Sequence, residues 1–141
     1  MFVTLSRKGL FQVPYMQHTP HQCGSMETRA YDYEVSIRAD ADELNPEGFI
    51  INNESIQEYF EKKYGTLASP WPADSCENLA RVAAREIAIL CRNAGTRVLC
   101  VECMLLGSNG AEIRARWLAA EDALEHKALG AAAGSESWGY N

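Results

Sequence analysis

Thr96-Arg97-Val98-Leu99-Cys100-Val101-Glu102-Cys103-Met104-Leu105-Leu106 is the stretch whose reading decides the fold. It is entered through Asn93-Ala94-Gly95 and left through Gly107-Ser108-Asn109-Gly110. A long apolar run with β-branched Val98 and Val101 between two turn signals reads as a strand. One carboxylate, Glu102, stands in its middle. A charge in an apolar run is costly unless something pairs with it. Two readings follow. Either the strand is an edge whose outward face meets water at Glu102, or Glu102 anchors a ligand that carries hydrogen-bond donors.

Downstream, Ser108-Asn109-Gly110 reads as a hairpin turn. Ala111 to Trp117 is the returning strand, with Ile113, Ala115 and Trp117 alternating against Glu112, Arg114 and Arg116. The alanine-rich residues 118 to 133 predict a helix, and Gly134 to Asn141 a loose tail. Upstream lies a helix opening at Asp74 or Ser75, where Asp74 and Glu77 have capping-box spacing. Leu79, Val82, Ala83, Ile87, Leu90 and Cys91 form its apolar stripe and Gly95 stops it. Before it, Thr66 to Ala73 is a loop. A shorter helix runs from Asn53 to about Tyr64, with Ile56, Tyr59, Phe60 and Lys63 on one face.

The N-terminal third reads as two strands. Residues 2 to 16 supply Val3, Leu5, Leu10, Phe11, Val13 and Tyr15, with Gly9 expected at a bulge or turn. Arg29 to Ala39 alternates Tyr31, Tyr33, Val35 and Ile37 with Asp32, Glu34, Ser36 and Arg38, giving one apolar and one wet face. Between them, residues 17 to 28 are expected to form a loop. It holds His18, His21 and Cys23, the densest cluster of reactive groups in the chain. The order is strand, strand, helix, helix, strand, strand, then an appendage: an α+β domain over residues 1–117, with 118–141 as C-terminal helix and tail.

With 141 residues, 47% of them hydrophobic, the chain supports one domain with a substantial core. The formal net charge of −6, with scattered basic residues, speaks against a nucleic-acid partner. No apolar run reaches the roughly 20 residues that cross a bilayer, and the N-terminus lacks the order of a signal peptide. A cytoplasmic protein without a membrane partner is the expectation. Five cysteines without framework spacing predict reduced thiols. Cys100 and Cys103 have a redox spacing but on a strand point to opposite faces.

The order of elements, together with particular residues, resembles the 6-pyruvoyl-tetrahydropterin synthase and 6-carboxy-tetrahydropterin synthase family. Ser75-Cys76-Glu77-Asn78-Leu79-Ala80 is similar to that family's Thr/Ser-x-Glu-Asn-Leu-Ala helix opening. Val101-Glu102 with Ala111-Glu112-Ile113-Arg114 resembles its Glu-Thr…Ala-x-Tyr hairpin. Arg29-Ala30-Tyr31-Asp32-Tyr33-Glu34-Val35 lines up with its His-Gly-His-Asn-Tyr-x-Val strand, and Gly48-Phe49-Ile50-Ile51 with its Gly-Met-Val-Val. The resemblance covers about residues 2 to 117. It implies the ββααββ tunnelling fold, an antiparallel sheet with two helices on one face. Subunits of that fold close a barrel as trimers or hexamers with the site between them. For Glu102 it implies the role of anchoring a ring through its N–H groups.

The departures are as informative. The family's zinc is held by three histidines, two of them as His-x-His on the second strand. Here those two positions read Arg29 and Tyr31, and the third falls near Tyr15. Arginine does not surrender its proton to become a ligand, so no metal is expected. Cys23, six residues before Arg29, matches the position of the family's catalytic cysteine in its pyruvoyl branch. Tyr64 falls near the place of the family's relay histidine. The expected site therefore takes Cys23, Tyr31, Glu102 and Tyr15 as catalytic groups, with Glu102, Arg29 and Tyr64 binding the substrate. Arg29 would hold a carboxylate or phosphate where the metal sat, and the phenols would serve as acids or donors.

Three functions fit. The first is a metal-independent enzyme carrying out cyclisation, lyase or carbonyl-condensation chemistry on a small molecule, Pictet-Spengler type among them. The second is a pterin synthase with a displaced zinc site at His18, His21 and Cys23. The third is a non-catalytic protein that binds a pterin or purine-like ring.

Overall fold

A computed structural model describes residues 1–19, 22–64, 76–107 and 110–124, and for residues 13–19 and 22–29 the backbone alone. Strands β1 (Phe2–Thr19), β2 (Gln22–Asp40), β3 (Val98–Gly107) and β4 (Glu112–Leu118) form one antiparallel sheet in the order β1-β2-β3-β4. Helices α1 (Glu54–Tyr64) and α2 (Cys76–Asn93) lie between β2 and β3 in the chain. The expected α+β order of strand, strand, helix, helix, strand, strand holds.

Alternation along the strands decides which face the helices cover. On β2, Tyr31, Tyr33, Val35, Ile37 and Ala39 are buried, and on β3 Val101, Cys103 and Leu105 are. Against them pack Ile56 and Phe60 of α1 and Leu79, Ala83, Ile87 and Cys91 of α2. Two residues expected in the α2 stripe, Val82 and Leu90, are only half-buried, while Ala80, Ala84 and Ala88 lie inside. Alanine at successive i, i+4 positions lets the helix axis approach the sheet, which moves the buried stripe toward the small residues. Gly95, at φ +98°, closes α2: its N–H donates to the Arg92 carbonyl and that of Thr96 to the Cys91 carbonyl. That left-handed turn is the reason for glycine there.

Thr96, 1% exposed, donates from its hydroxyl to the Ile50 carbonyl at 2.6 Å and contacts the Phe49 carbonyl at 3.1 Å. The segment before α1 is thereby fastened to the start of β3.

Three expectations need correction. β3 is not an edge strand: it lies between β2 and β4. Residues 17–28 were expected as a loop, but β1 runs to Thr19 and β2 begins at Gln22, so the hairpin continues through most of that stretch. A continuous antiparallel register outweighs polar composition, and Pro14, paired with Thr28, sits on an edge strand where a missing N–H is tolerated. Gly9 opens no bulge: it pairs with Tyr33 in unbroken register. A Cβ there would come within 2.5 Å of the Tyr33 hydroxyl and 2.7 Å of Gln57 Oε1. The glycine makes room for the Tyr33 hydroxyl to donate to Gln57. Beyond β4, residues 119–124 are helical. The rest of the expected C-terminal helix and tail lies outside the described residues.

Candidate functional site

Glu102 faces away from the helices. The register sets Ser6, Ser36, Glu102 and Arg116 in one row across all four strands. Arg116 is its direct cross-strand partner, and Arg114 is a diagonal neighbour within reach. Arg116 Nη2 lies 2.9 Å and Nε 3.3 Å from Glu102 Oε2, while Arg114 Nη1 lies 3.1 Å from Oε1. Arg114 also bonds Glu112, its Nη2 at 2.7 Å from Oε1. The result is a ladder of alternating sign, Glu112, Arg114, Glu102, Arg116, on the open face. The Glu102 side chain is 23% exposed.

This geometry fixes the carboxylate's charge. The hydrogen bond from Arg116 is the main cause holding the Glu102 carboxyl below its ordinary range. Partial burial opposes it, and Arg114 adds to the lowering. The sequence offered both readings of a lone carboxylate; the structure gives it two cation partners from the returning strand.

Tyr31 and Tyr64 lie on the other face. Tyr31 is 7% and Tyr64 1% exposed, and both stack on Phe11, with ring centroids 5.5 Å and 5.2 Å away. Phe11 also stacks on Phe60 at 4.7 Å, and Phe60 on Tyr33 at 4.2 Å. The two candidate phenols are thus brought together, but inside an aromatic cluster. Glu102 is not with them. Tyr31 pairs with Gly107, five positions along β3 from Glu102, or roughly 17 Å at about 3.4 Å per residue, and on the opposite side of the sheet.

Tyr15 and Arg29 lie on the paired part of the hairpin, where Tyr15 faces Glu27 and Val13 faces Arg29. His18 falls at the register irregularity between Gln17 and Thr19, and Cys23 is one residue past Gln22, the partner of Thr19. Their side chains, and His21 altogether, lie outside the described residues.

Two arrangements escaped the sequence. One is the arginine pair on Glu102. Counting outward from the turn expected at Ser108-Asn109-Gly110, of which residues 108 and 109 lie outside the described residues, would have placed Arg116 opposite it. The other joins the helices: Tyr59 donates to Glu86 Oε1 at 3.2 Å, and Lys63 pairs with the same oxygen. Burial chiefly, with Tyr64 and Glu86 beside it, pushes the Tyr59 hydroxyl far above the ordinary phenol range. Tyr59 and Lys63 had been read as stripe residues; their four-residue spacing carried this signal too. The thiols of Cys91 and Cys103, both fully buried, are pushed up to about 12 by burial, with Cys76 and Glu102 adding at Cys103. They are inert at neutral pH.

The chain is similar in structure to 6-pyruvoyltetrahydropterin synthase of Plasmodium vivax. Over 84% of this chain and 99% of that one the TM-score is 0.55 at 9% identity. A catalytic-residue mutant of the same enzyme gives a TM-score of 0.55 at 10% identity over the same shares. The Plasmodium falciparum enzyme gives 0.53 at 8% identity, over 83% of this chain and 98% of its own. No protein-family model and no curated protein matches the sequence. At such identities the likeness establishes the tunnelling fold and leaves the chemistry to the residues.

Proposed function

We propose that this chain is a metal-independent tunnelling-fold enzyme acting on a small molecule of cofactor or natural-product metabolism. The chemistry is cyclisation, lyase or carbonyl-condensation chemistry, Pictet-Spengler type among them, on a substrate anchored by Glu102. The observation that carries this reading is an ionised carboxylate at the centre of the open sheet face, held by Arg114 and Arg116. A carboxylate offers about four acceptor positions. Three guanidinium N–H groups take up Glu102 within the chain. A ring N–H pair therefore displaces one of them, and Arg114, which has Glu112 as a second partner, is the one that can yield.

The fold's zinc does not fit the residues present. A guanidinium at position 29 is no ligand, and the Tyr31 ring is stacked on Phe11 inside the core. No step is therefore routed through a metal. Arg29 supplies a fixed cation for a substrate carboxylate or phosphate, Tyr15 and Tyr31 supply phenols, and Cys23 a nucleophile or proton carrier. Glu102 and Tyr31 occupy opposite faces, so a site that uses both takes them from different copies. β1 and β4 are both sheet edges with unpaired backbone groups, which supports closure into a trimeric or hexameric barrel.

The test uses neopterin as a ring probe. Glu102→Gln is expected to abolish its binding with the oligomer intact, while Arg114→Ala preserves or tightens it. Unchanged binding in Glu102→Gln refutes the anchor. Stoichiometric zinc in purified protein refutes metal independence and favours the displaced site at His18, His21 and Cys23. The burial of Tyr31 and Tyr64 favours a second reading, a protein that binds the ring without transforming it. Binding without turnover across candidate substrates would establish that reading.

A further inference from the structure

A cavity of about 860 Å³ opens on the helix-covered side of the sheet, away from Glu102. It lies between Leu5 of β1, the 45–53 segment, the first turn of α1 and the C-terminal end of α2. Leu5, Ile51 and Leu90, all buried or half-buried, give it an apolar floor. Phe49 stands at its rim, 57% exposed. The backbone of Phe49 is nonetheless fastened to Asn45 at both ends. Its N–H donates to Asn45 Oδ1 at 2.8 Å, and its carbonyl accepts from the Asn45 N–H at 3.0 Å. The fold thus holds an apolar ring in water on a fixed turn, where covering it would be favourable. The polar groups around it are mainly carboxamides. The Asn45 oxygen also accepts from the Glu47 N–H at 3.1 Å, and the Asn52 oxygen from the Glu54 N–H at 3.0 Å. An amide is planar, so fixing its oxygen fixes its NH2 group as well, and neither NH2 group is used within the chain. The Asn53 carboxamide and the Glu47 carboxylate, both exposed, have no side-chain partner among the described residues. No lysine or arginine is among the described residues that line the cavity.

We infer that this cavity binds a neutral oligosaccharide. Its size is within the range of small-molecule sites. With no cation in the lining and the Glu47 carboxylate at the rim, an anionic ligand finds repulsion and no counter-charge. The unused groups are NH2 donors and one carboxylate acceptor. Hydroxyls satisfy both kinds, because each accepts and donates at once. An amphipathic helix laid in the groove would cover the floor but leave those groups unpaired. The exposed Phe49 ring offers a flat apolar surface, and the C–H face of a sugar ring covers it while the hydroxyl edge turns to the carboxamides. Leu5 packs against the core under the helices, whereas Glu102 is on the open face, so the two sites are separate.

Saturation-transfer NMR on the full chain tests this with maltotriose, cellotriose, xylotriose and mannotriose. At least one of the four is expected to bind saturably, with transfer strongest to its ring C–H protons. Phe49→Ala and Glu47→Gln should each weaken that binding by about tenfold or more. Both side chains are exposed, so circular dichroism should stay unchanged in either variant. Asn45 and Asn52 are left intact because their oxygens hold the turn and the start of α1. Raising salt from about 0.05 to 0.5 M should leave the affinity within about twofold, as for an uncharged ligand. Absence of transfer to all four trisaccharides at millimolar concentration overturns the inference. So does affinity that is unchanged in Phe49→Ala, or binding that is lost at the higher salt.

Discussion

The two faces of the sheet are built from the same strands and do opposite work. Toward the helices, Tyr33, Val35 and Ile37 of β2 meet Val101, Cys103 and Leu105 of β3, all 1% exposed or less. Toward the open side, Glu34, Ser36 and Arg38 alternate with them, and Cys100, Glu102 and Met104 do the same on β3. One face is held by burial of apolar area, the other by cross-strand charge. Stability is therefore concentrated on the first, and the second is expected to tolerate change at low cost. Substitutions that respect or violate this division measure how complete it is.

The largest effect is expected at Phe60. It is fully buried and stacked between Phe11 and Tyr33. Phe60→Ala should destabilise by about 3–5 kcal/mol, read as a drop in denaturant midpoint. Met104→Ala, the open-face counterpart, should cost a small fraction of that. Comparable losses would show that the open face is packed as tightly as the core, as it would be if another copy covered it.

The buried thiols give the next effect, and its sign follows from linkage. Burial raises the Cys91 and Cys103 thiols to about 12 in the folded chain. Their stabilisation is complete below the unfolded value, about 8.5, and is lost as pH climbs from there toward 12. Unfolding free energy should thus fall on the alkaline side by on the order of 1.4 kcal/mol per pH unit per thiol. The half-buried Cys76 and Cys100 should react with a thiol reagent before these two. Cys91→Ala/Cys103→Ala should flatten the alkaline limb; a slope that survives the double variant assigns it elsewhere.

Gly9 probes the join between edge strand and core. In Gly9→Ala the new methyl meets the Tyr33 hydroxyl and Gln57. Tyr33 is buried and cannot retreat freely, so a loss of about 1–3 kcal/mol is expected. Tyr33→Phe in the same background removes the clashing oxygen and should recover part of it.

The covered face was the legible one. Alternation in Tyr31-Asp32-Tyr33-Glu34-Val35 separates inside from outside with no structure in hand, because a strand's side chains alternate by geometry alone. Gly95 at the end of α2 was legible for the same local reason. What the alternation does not carry is partnership. That Tyr31 and Tyr64 meet on Phe11 depends on how α1 crosses the sheet, a fact spread over distant parts of the chain. The hairpin at 17–28 was misread because histidines, proline and glycine signal a turn by composition, whereas pairing with the neighbouring strand carries both strands past it. Glu102 lies between these cases. Its face and its strand were readable, but its partners, Arg114 and Arg116, come from a second strand.

The smallest effects belong to the open face itself, and two ion pairs there differ in kind. Lys8 and Glu34 are 3.7 Å apart, with side chains 76% and 33% exposed. That distance gives no directed hydrogen bond, and water screens the pair. Lys8→Ala should change stability by less than about 0.5 kcal/mol, and 1 M salt should erase even that. Glu102 is held by two forks at hydrogen-bond distance. Its lowered carboxyl contributes stability above the unfolded value, lost as pH falls through the folded one. Glu102→Gln should therefore lower neutral-pH stability slightly and make the acid limb shallower below about pH 4, where Lys8→Ala leaves that limb alone. If the two variants titrate alike, the arginine ladder is as solvent-screened as the lysine pair, and the open face carries no preorganised carboxylate.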